Sequence, residues 1–280
     1  MYKKTIAVGV LVLAASTAAG SAACCAKSPQ PRCTEPNAAD AVKQVLSKLE
    51  QTTKTLRSYQ ADVEYVFRQP LLESQTLRKG VLYYLRLENT SRLRVNFNTL
   101  KQDDEEQQSY LDHYIFDGIW LTRIDYQIEA VERYQLVDPN ELKDSNRPAD
   151  PFELLSRNFP IVGFSNVEDL DKAFTISRVA QDDTQNPAFV QLHLEVKPGS
   201  VYEQDYTSMD FWIDRKEYLP ARMVAVTTEE DIYQIDFLTA KINEKIDEKV
   251  FCFSIPEGFT VEEKRLKPEQ GQKAEKASSQ

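Results

Sequence analysis

Two histidines, His113 and His193, and four cysteines, Cys24, Cys25, Cys33 and Cys252, are the side chains of this sequence best suited to catalysis or metal binding. A nucleophilic triad would need one of the histidines beside a nucleophile motif such as Gly-x-Ser-x-Gly, and neither has one. A structural zinc site would need paired cysteines or histidines near them; there is no Cys-x-x-Cys, and both histidines are remote from the cysteines in sequence. The acid runs Asp103-Asp104-Glu105-Glu106 and Glu229-Glu230-Asp231 read as solvated turns, with weak cation binding as the alternative. The reading is therefore of a protein that is not an enzyme and needs no metal or cofactor.

One charge stands out instead. In Gly80-Val-Leu-Tyr-Tyr-Leu-Arg86, the alternation places Arg86 on the same strand face as Leu82 and Tyr84. The next strand alternates Leu93, Val95 and Phe97 with Arg92, Arg94 and Asn96, so its apolar face is unambiguous. Val81, Tyr83 and Leu85 are also apolar, which predicts partial cover on both faces of the first strand. An arginine at such a place can snorkel to the sheet edge and pair with an acid such as Glu88. It can equally spend its five donors on backbone carbonyls.

The elements that hold these residues follow from the period of the apolar positions. Asn37 caps a helix in which Ala41, Val42, Val45, Leu46, Leu49 and Leu56 recur at helical spacing. From Ser58 the period becomes two, with Tyr59, Ala61, Val63, Tyr65 and Phe67 on one face. After the Gly80 to Phe97 pair, a polar loop at 101–108 leads to a strand ending at Phe116. Asp117-Gly118 then turns into a strand at 119–124, followed by another at 130–135. Pro151-Phe152-Glu153-Leu154-Leu155, capped by Asp150, reads as a short helix, and 167–172 as a second. Strands resume at 174–179, 189–196, 209–213, 221–227, 232–243 and 250–255. His193 falls on the wet face of its strand, and Cys252 reads as structural.

The chain has 280 residues, 41% of them hydrophobic, enough for one large folded domain. A formal charge of −10 argues against nucleic acid or an anionic bilayer as a partner. Lys3 and Lys4, an apolar run from Ile6 to Ala15 and small residues up to Ala23 form an export signal. The expected organisation is a signal peptide at 1–23, a flexible tether at 24–36, a folded domain at 37–265 and a disordered tail at 266–280. Cleavage after Ala23 would leave Cys24 as the new N-terminus and a candidate for lipidation, although Ser21 stands where a lipobox carries a large aliphatic residue. A Cys25–Cys33 bridge would staple only the tether.

The order of these segments resembles the LolA–LolB superfamily of periplasmic lipoprotein carriers. Gly80 to Arg86 is similar to its Gly-x-Leu-aromatic-x-x-Arg strand, Asp117-Gly118-Ile119-Trp120 to its Asp-Gly-x-x-Leu-Trp turn, and Pro151 to Leu155 to its Pro-Phe-x-Leu-Leu helix. Phe251 to Val261 is similar to its closing Phe-x-Phe-x-x-Pro-x-Gly-x-x-Val, while Leu87 stands where the family commonly has proline. The resemblance implies an α+β fold: an open antiparallel β half-barrel whose concave face is covered by an N-terminal helix and short central helices.

It further implies a monomeric periplasmic carrier that shields acyl chains of lipoproteins or other lipids during outer-membrane lipoprotein sorting. Its partners would be an inner-membrane release complex and an outer-membrane acceptor. Tyr65, Phe67, Leu82, Tyr84, Leu93, Val95, Phe97, Phe152 and Leu155 would line the lipid cavity, and Arg86 would latch the helical lid. The other reading of the same fold, favoured if Cys24 is acylated, is a membrane-anchored acceptor or an envelope sensor with no carrier role.

Overall fold

The structure, a computed structural model, describes residues 38–88, 90–138, 167–179 and 188–265. Cys24, the expected signal peptide, tether and tail, and the 150–155 helix with Phe152 and Leu155 lie outside these residues.

Helix α1 (Ala38–Thr55) carries its apolar stripe on Val42, Leu46 and Leu49, with Asp40 in the first turn and Lys54 in the last, as the helix dipole favours. Strand β1 (Ser58–Gln69) opens a meander with β2 (Ser74–Arg86), β3 (Ser91–Gln102), β4 (Gln108–Phe116), β5 (Trp120–Asp125) and β6 (Ala130–Gln135). A short helix, α2 (Val167–Ala173), precedes a second meander of β7 (Phe174–Arg178), β8 (Phe189–Val196), β9 (Tyr206–Asp214), β10 (Pro220–Thr227) and β11 (Ile232–Ile242). The β1–β11 pair joins the two meanders antiparallel, with Tyr65 opposite Ile235 and Phe67 opposite Tyr233.

The last strand, β12 (Thr260–Lys264), lies parallel against β6, giving the order β12-β6-β5-β4-β3-β2-β1-β11-β10-β9-β8-β7. The sheet does not close on itself. It is an open, almost wholly antiparallel half-barrel with α1 on its inner face.

The inner face carries two apolar clusters. One joins Val42, Leu46 and Leu49 of α1 and Leu170 of α2 to Leu192, Leu194, Phe211 and Ile235 of the second meander. The other runs over Tyr59, Ala61, Val63, Leu82, Leu93, Phe97 and Phe116 of the first. Tyr65 and Phe237 pack against both and make the inner surface continuous. Gly80 serves this surface through its lack of a side chain. The β2–β3 register shifts beside it, and a Cβ there would stand 1.9 Å from the Asn96 carbonyl oxygen.

The C-terminal segment departs from the expectation of a strand at 250–255. Residues Glu248–Phe251 form a 3-10 turn that Asp247 caps by accepting the Lys249 N–H. Arg94 on the outer face of β3 donates to the Val250 and Cys252 carbonyls at 2.7 and 3.0 Å, so those groups have no strand partner to seek. The chain then crosses the outer face, where Phe253 and Phe259 pack over Ile115, Ile124 and Val131, before adding β12 to the edge. Cys252, read from the sequence as structural, is a free cysteine exposed on this crossing.

Candidate functional site

The last turn of an α-helix leaves carbonyls without intrahelical partners. In α1 two of these, Thr53 and Lys54, point at the guanidinium of Arg86. Its Nη1 donates to the Lys54 oxygen at 2.6 Å and its Nη2 to the Thr53 oxygen at 3.1 Å, while Nε donates to the Tyr84 hydroxyl at 3.2 Å. Of the two sequence-level alternatives, the carbonyl contacts are the ones formed. The strand alternation that set Arg86 beside Leu82 and Tyr84 brings it to this helix end, because β2 finishes where α1 hands over to β1. Asn243 secures the same junction just past the end of β11, its Oδ1 accepting the Arg57 N–H at 2.7 Å.

From Arg86 the inner wall runs along the strands over Leu82, Tyr84, Leu93, Val95 and Phe97, all buried, to the half-buried Tyr65 and Phe67. The rings make a chain across the sheet. Phe67 stacks on Tyr233 at 4.7 Å between centroids, Tyr233 lies 6.3 Å from Tyr65, Tyr65 5.9 Å from Phe97, and Phe97 6.3 Å from Tyr114. Tyr65 on β1 and Phe97 on β3 meet across β2 where Gly80 presents no side chain. Burial raises the hydroxyl pKa of Tyr59, Tyr65 and Tyr114 well above the ordinary tyrosine value, and that of Tyr206 on the second meander to about 12.

At the end of the strands away from Arg86 the inner face turns ionic, a feature the sequence reading missed. Asp112, fully buried, accepts Arg123 Nε and Nη2 at 2.9 and 3.2 Å, Arg78 Nη1 at 3.1 Å and the Tyr114 hydroxyl at 3.0 Å. Arg123 also donates to Asp125 at 3.1 Å and lies 3.5 Å from Glu132. Burial works against the Arg123 charge, but the Asp112 hydrogen bonds and the surrounding acids hold its pKa above the usual arginine value. The signal was present in the strand alternation: Arg78 shares the parity of Gly80 and Leu82, and Asp112 that of Tyr114 and Phe116.

His193 lies on the outer face of β8, 40% exposed, with Nδ1 3.1 Å from Asp210. His113 is set on the outer face of β4 against the Tyr126 ring, and both its ring nitrogens are buried without a hydrogen-bond partner. Among the described residues no group of three or more His, Cys, Asp or Glu side chains could hold a metal ion, and no helix is long and apolar enough to cross a membrane. What the inner face offers chemically is an apolar, aromatic surface bounded by a carbonyl-bound arginine at one end and a neutralised ion cluster at the other.

No protein-family model and no curated protein matches the chain. Among solved structures it is similar to an uncharacterized conserved protein from Thermus thermophilus, at 11% identity over 80% of this chain and 99% of that one, with a TM-score of 0.43. It is also similar to Pseudomonas aeruginosa MucB, solved in complex with MucA, at 12% identity over 76% of this chain and a TM-score of 0.42; the match spans 61% of that chain. A LolA superfamily protein from Nitrosomonas europaea is similar at 12% identity, over 75% of this chain and 97% of that one, with a TM-score of 0.34.

Proposed function

We propose that this protein binds the acyl chain of a lipid or lipoprotein along its inner face and acts as a periplasmic carrier in outer-membrane lipoprotein sorting. The observation that carries the reading is Arg86: a cation on an apolar inner wall whose donors hold the last carbonyls of the helix packed on the adjoining part of the same face. Such bonds fasten the end of α1 through its backbone, apart from the packing of its apolar stripe. Burying an acyl chain returns about 0.8 kcal/mol per methylene, so a chain of roughly sixteen carbons offers on the order of 10 kcal/mol against moving a lid.

The export signal and the absence of a nucleophile motif support an envelope binding protein rather than an enzyme. In this reading the Arg86 bonds form in the empty protein and break in the loaded one, so their loss favours the loaded state. The test is binding and release of a fluorescent sixteen-carbon fatty acid by the purified mature protein and its Arg86→Leu variant. The expected result is saturable binding by both, with release from the variant slowed roughly tenfold, the equivalent of about one charge-assisted hydrogen bond. Absence of binding by either protein would remove the lipid reading; equal release rates would remove the latch alone.

A further inference from the structure

Five hairpin turns meet at the end of the sheet away from Arg86, and exposed large apolar side chains sit on every other one. In spatial order they are 126–129 between β5 and β6, 103–107 between β3 and β4, 70–73 between β1 and β2, 228–231 between β10 and β11, and 197–205 between β8 and β9. The first, third and fifth present large apolar side chains to solvent: Ile128, 69% exposed, Leu71 and Leu72, 77% and 68%, and Val201, 85%.

The second and fourth present exposed carboxylates and no large apolar side chain: Asp104, Glu105 and Glu106, then Glu229 and Glu230. None of these five forms an ion pair with a described residue. The apolar turns expose acids as well, Glu129, Glu73, Glu203 and Asp205, so the whole rim is acidic. Lys197, the cation of the fifth turn, is turned away to the Asp171 carbonyl. Among the described residues the turns at the Arg86 end expose no large apolar side chain. The pattern therefore belongs to one rim and does not reflect hairpin turns in general.

We infer that this rim docks a partner protein whose surface sets Lys or Arg side chains between apolar pockets. Strands about 4.8 Å apart put neighbouring turns about 10 Å apart along the sheet, and apolar turns about 20 Å apart with an acidic turn between each pair. Exposed apolar residues grouped on one surface mark an interaction site, and charge complementarity selects the partner and its register. A bilayer is the poorer match. Inserting the three apolar turns together would press the two acidic ones against lipid headgroups, and an anionic leaflet repels them. The inference does not depend on what the inner face binds.

The test uses the full-length protein in the cells that make it, with a benzophenone amino acid at position 72, 128 or 201 and a control at position 216 on the opposite end. Three outcomes together support the rim. The same protein is crosslinked from at least two rim positions and not from 216. The crosslinked peptides contain Lys or Arg. The combined change Glu105→Lys, Glu106→Lys, Glu229→Lys and Glu230→Lys lowers the yield at least tenfold.

Crosslinks to lipid, crosslinks to a second copy of this chain, no crosslinks, or a yield indifferent to the charge reversal would each overturn it. So would co-sedimentation of the purified protein with phosphatidylcholine or phosphatidylglycerol vesicles that is lost in Leu71→Ser/Leu72→Ser. An unchanged melting temperature and unchanged fatty-acid binding in the charge-reversed variant keep failure of the rim distinct from failure of the fold or of the lipid reading.

Discussion

Arg86 Nη1 stands 2.6 Å from the Lys54 carbonyl oxygen, so the end of the first helix is capped by a side chain from the second strand. The contact combines a charge-assisted hydrogen bond with a cation at the negative end of the helix dipole. Replacement by leucine is expected to cost about 1–2 kcal/mol of stability and to speed amide exchange in the last turn of α1. Hydrogen exchange by mass spectrometry over residues 50–58 checks this, with Arg86→Lys expected to fall between wild type and leucine because it cannot reach both carbonyls with a planar fork.

Asp112 binds two arginines on the inner face. Its replacement by alanine leaves Arg78 and Arg123 facing each other with one shared acceptor gone, and is expected to destabilise the protein by about 3–5 kcal/mol. Urea unfolding measures the loss. Asp112→Asn, which keeps an oxygen acceptor for the two arginines and loses only the charge, is expected to be milder than Asp112→Ala.

Gly80 brings the backbones of β2 and β3 close beside the register shift. Gly80→Ala would drive its Cβ into the Asn96 carbonyl, and the backbone can yield only by disturbing the Tyr65–Phe97 contact above it. The expected cost is about 1–3 kcal/mol in thermal or urea unfolding. Leu82→Met, which changes shape without adding volume, is expected to cost less.

His113 gives the stability a pH dependence of known sign. Burial lowers its pKa below the ordinary histidine value; the nearby Arg94 charge acts in the same direction and Asp112 against it. The unfolded chain therefore binds the proton at higher pH than the folded one. The contribution is complete above the unfolded pKa, near 6.5, and is lost as pH falls from there through the lowered folded value. Unfolding free energies at pH 7.5 and 5.5 should differ less in His113→Phe than in the wild type. An equal difference in the two proteins would assign the slope to other groups.

Much of the fold was legible because the apolar period is clean where one face of a strand meets the core: Leu93, Val95 and Phe97 announced their face, and Val42, Leu46 and Leu49 theirs. The 250–255 segment misled because Phe251 and Phe253 alternate like strand residues, yet Arg94 takes the carbonyls a strand would need. The Asp112 cluster escaped notice because a charge inside a strand looks like an outward residue until its partners on neighbouring strands are known. The rim was unreadable for another reason. Leu71, Ile128 and Val201 are far apart in sequence, and only the strand order gathers them.

The seam between β1 and β11 also bears on how the chain reaches this shape. Each meander is built from hairpins whose partners are near neighbours in sequence, whereas Tyr65 must wait for Ile235, synthesised far later, to acquire its second neighbouring strand. Contacts of such long sequence separation carry the larger loop-closure cost and form slowly. The central strand of the finished sheet is thus an edge strand for much of the chain's assembly, and it is then, rather than in the native state, that the protein is most open to wrong pairing.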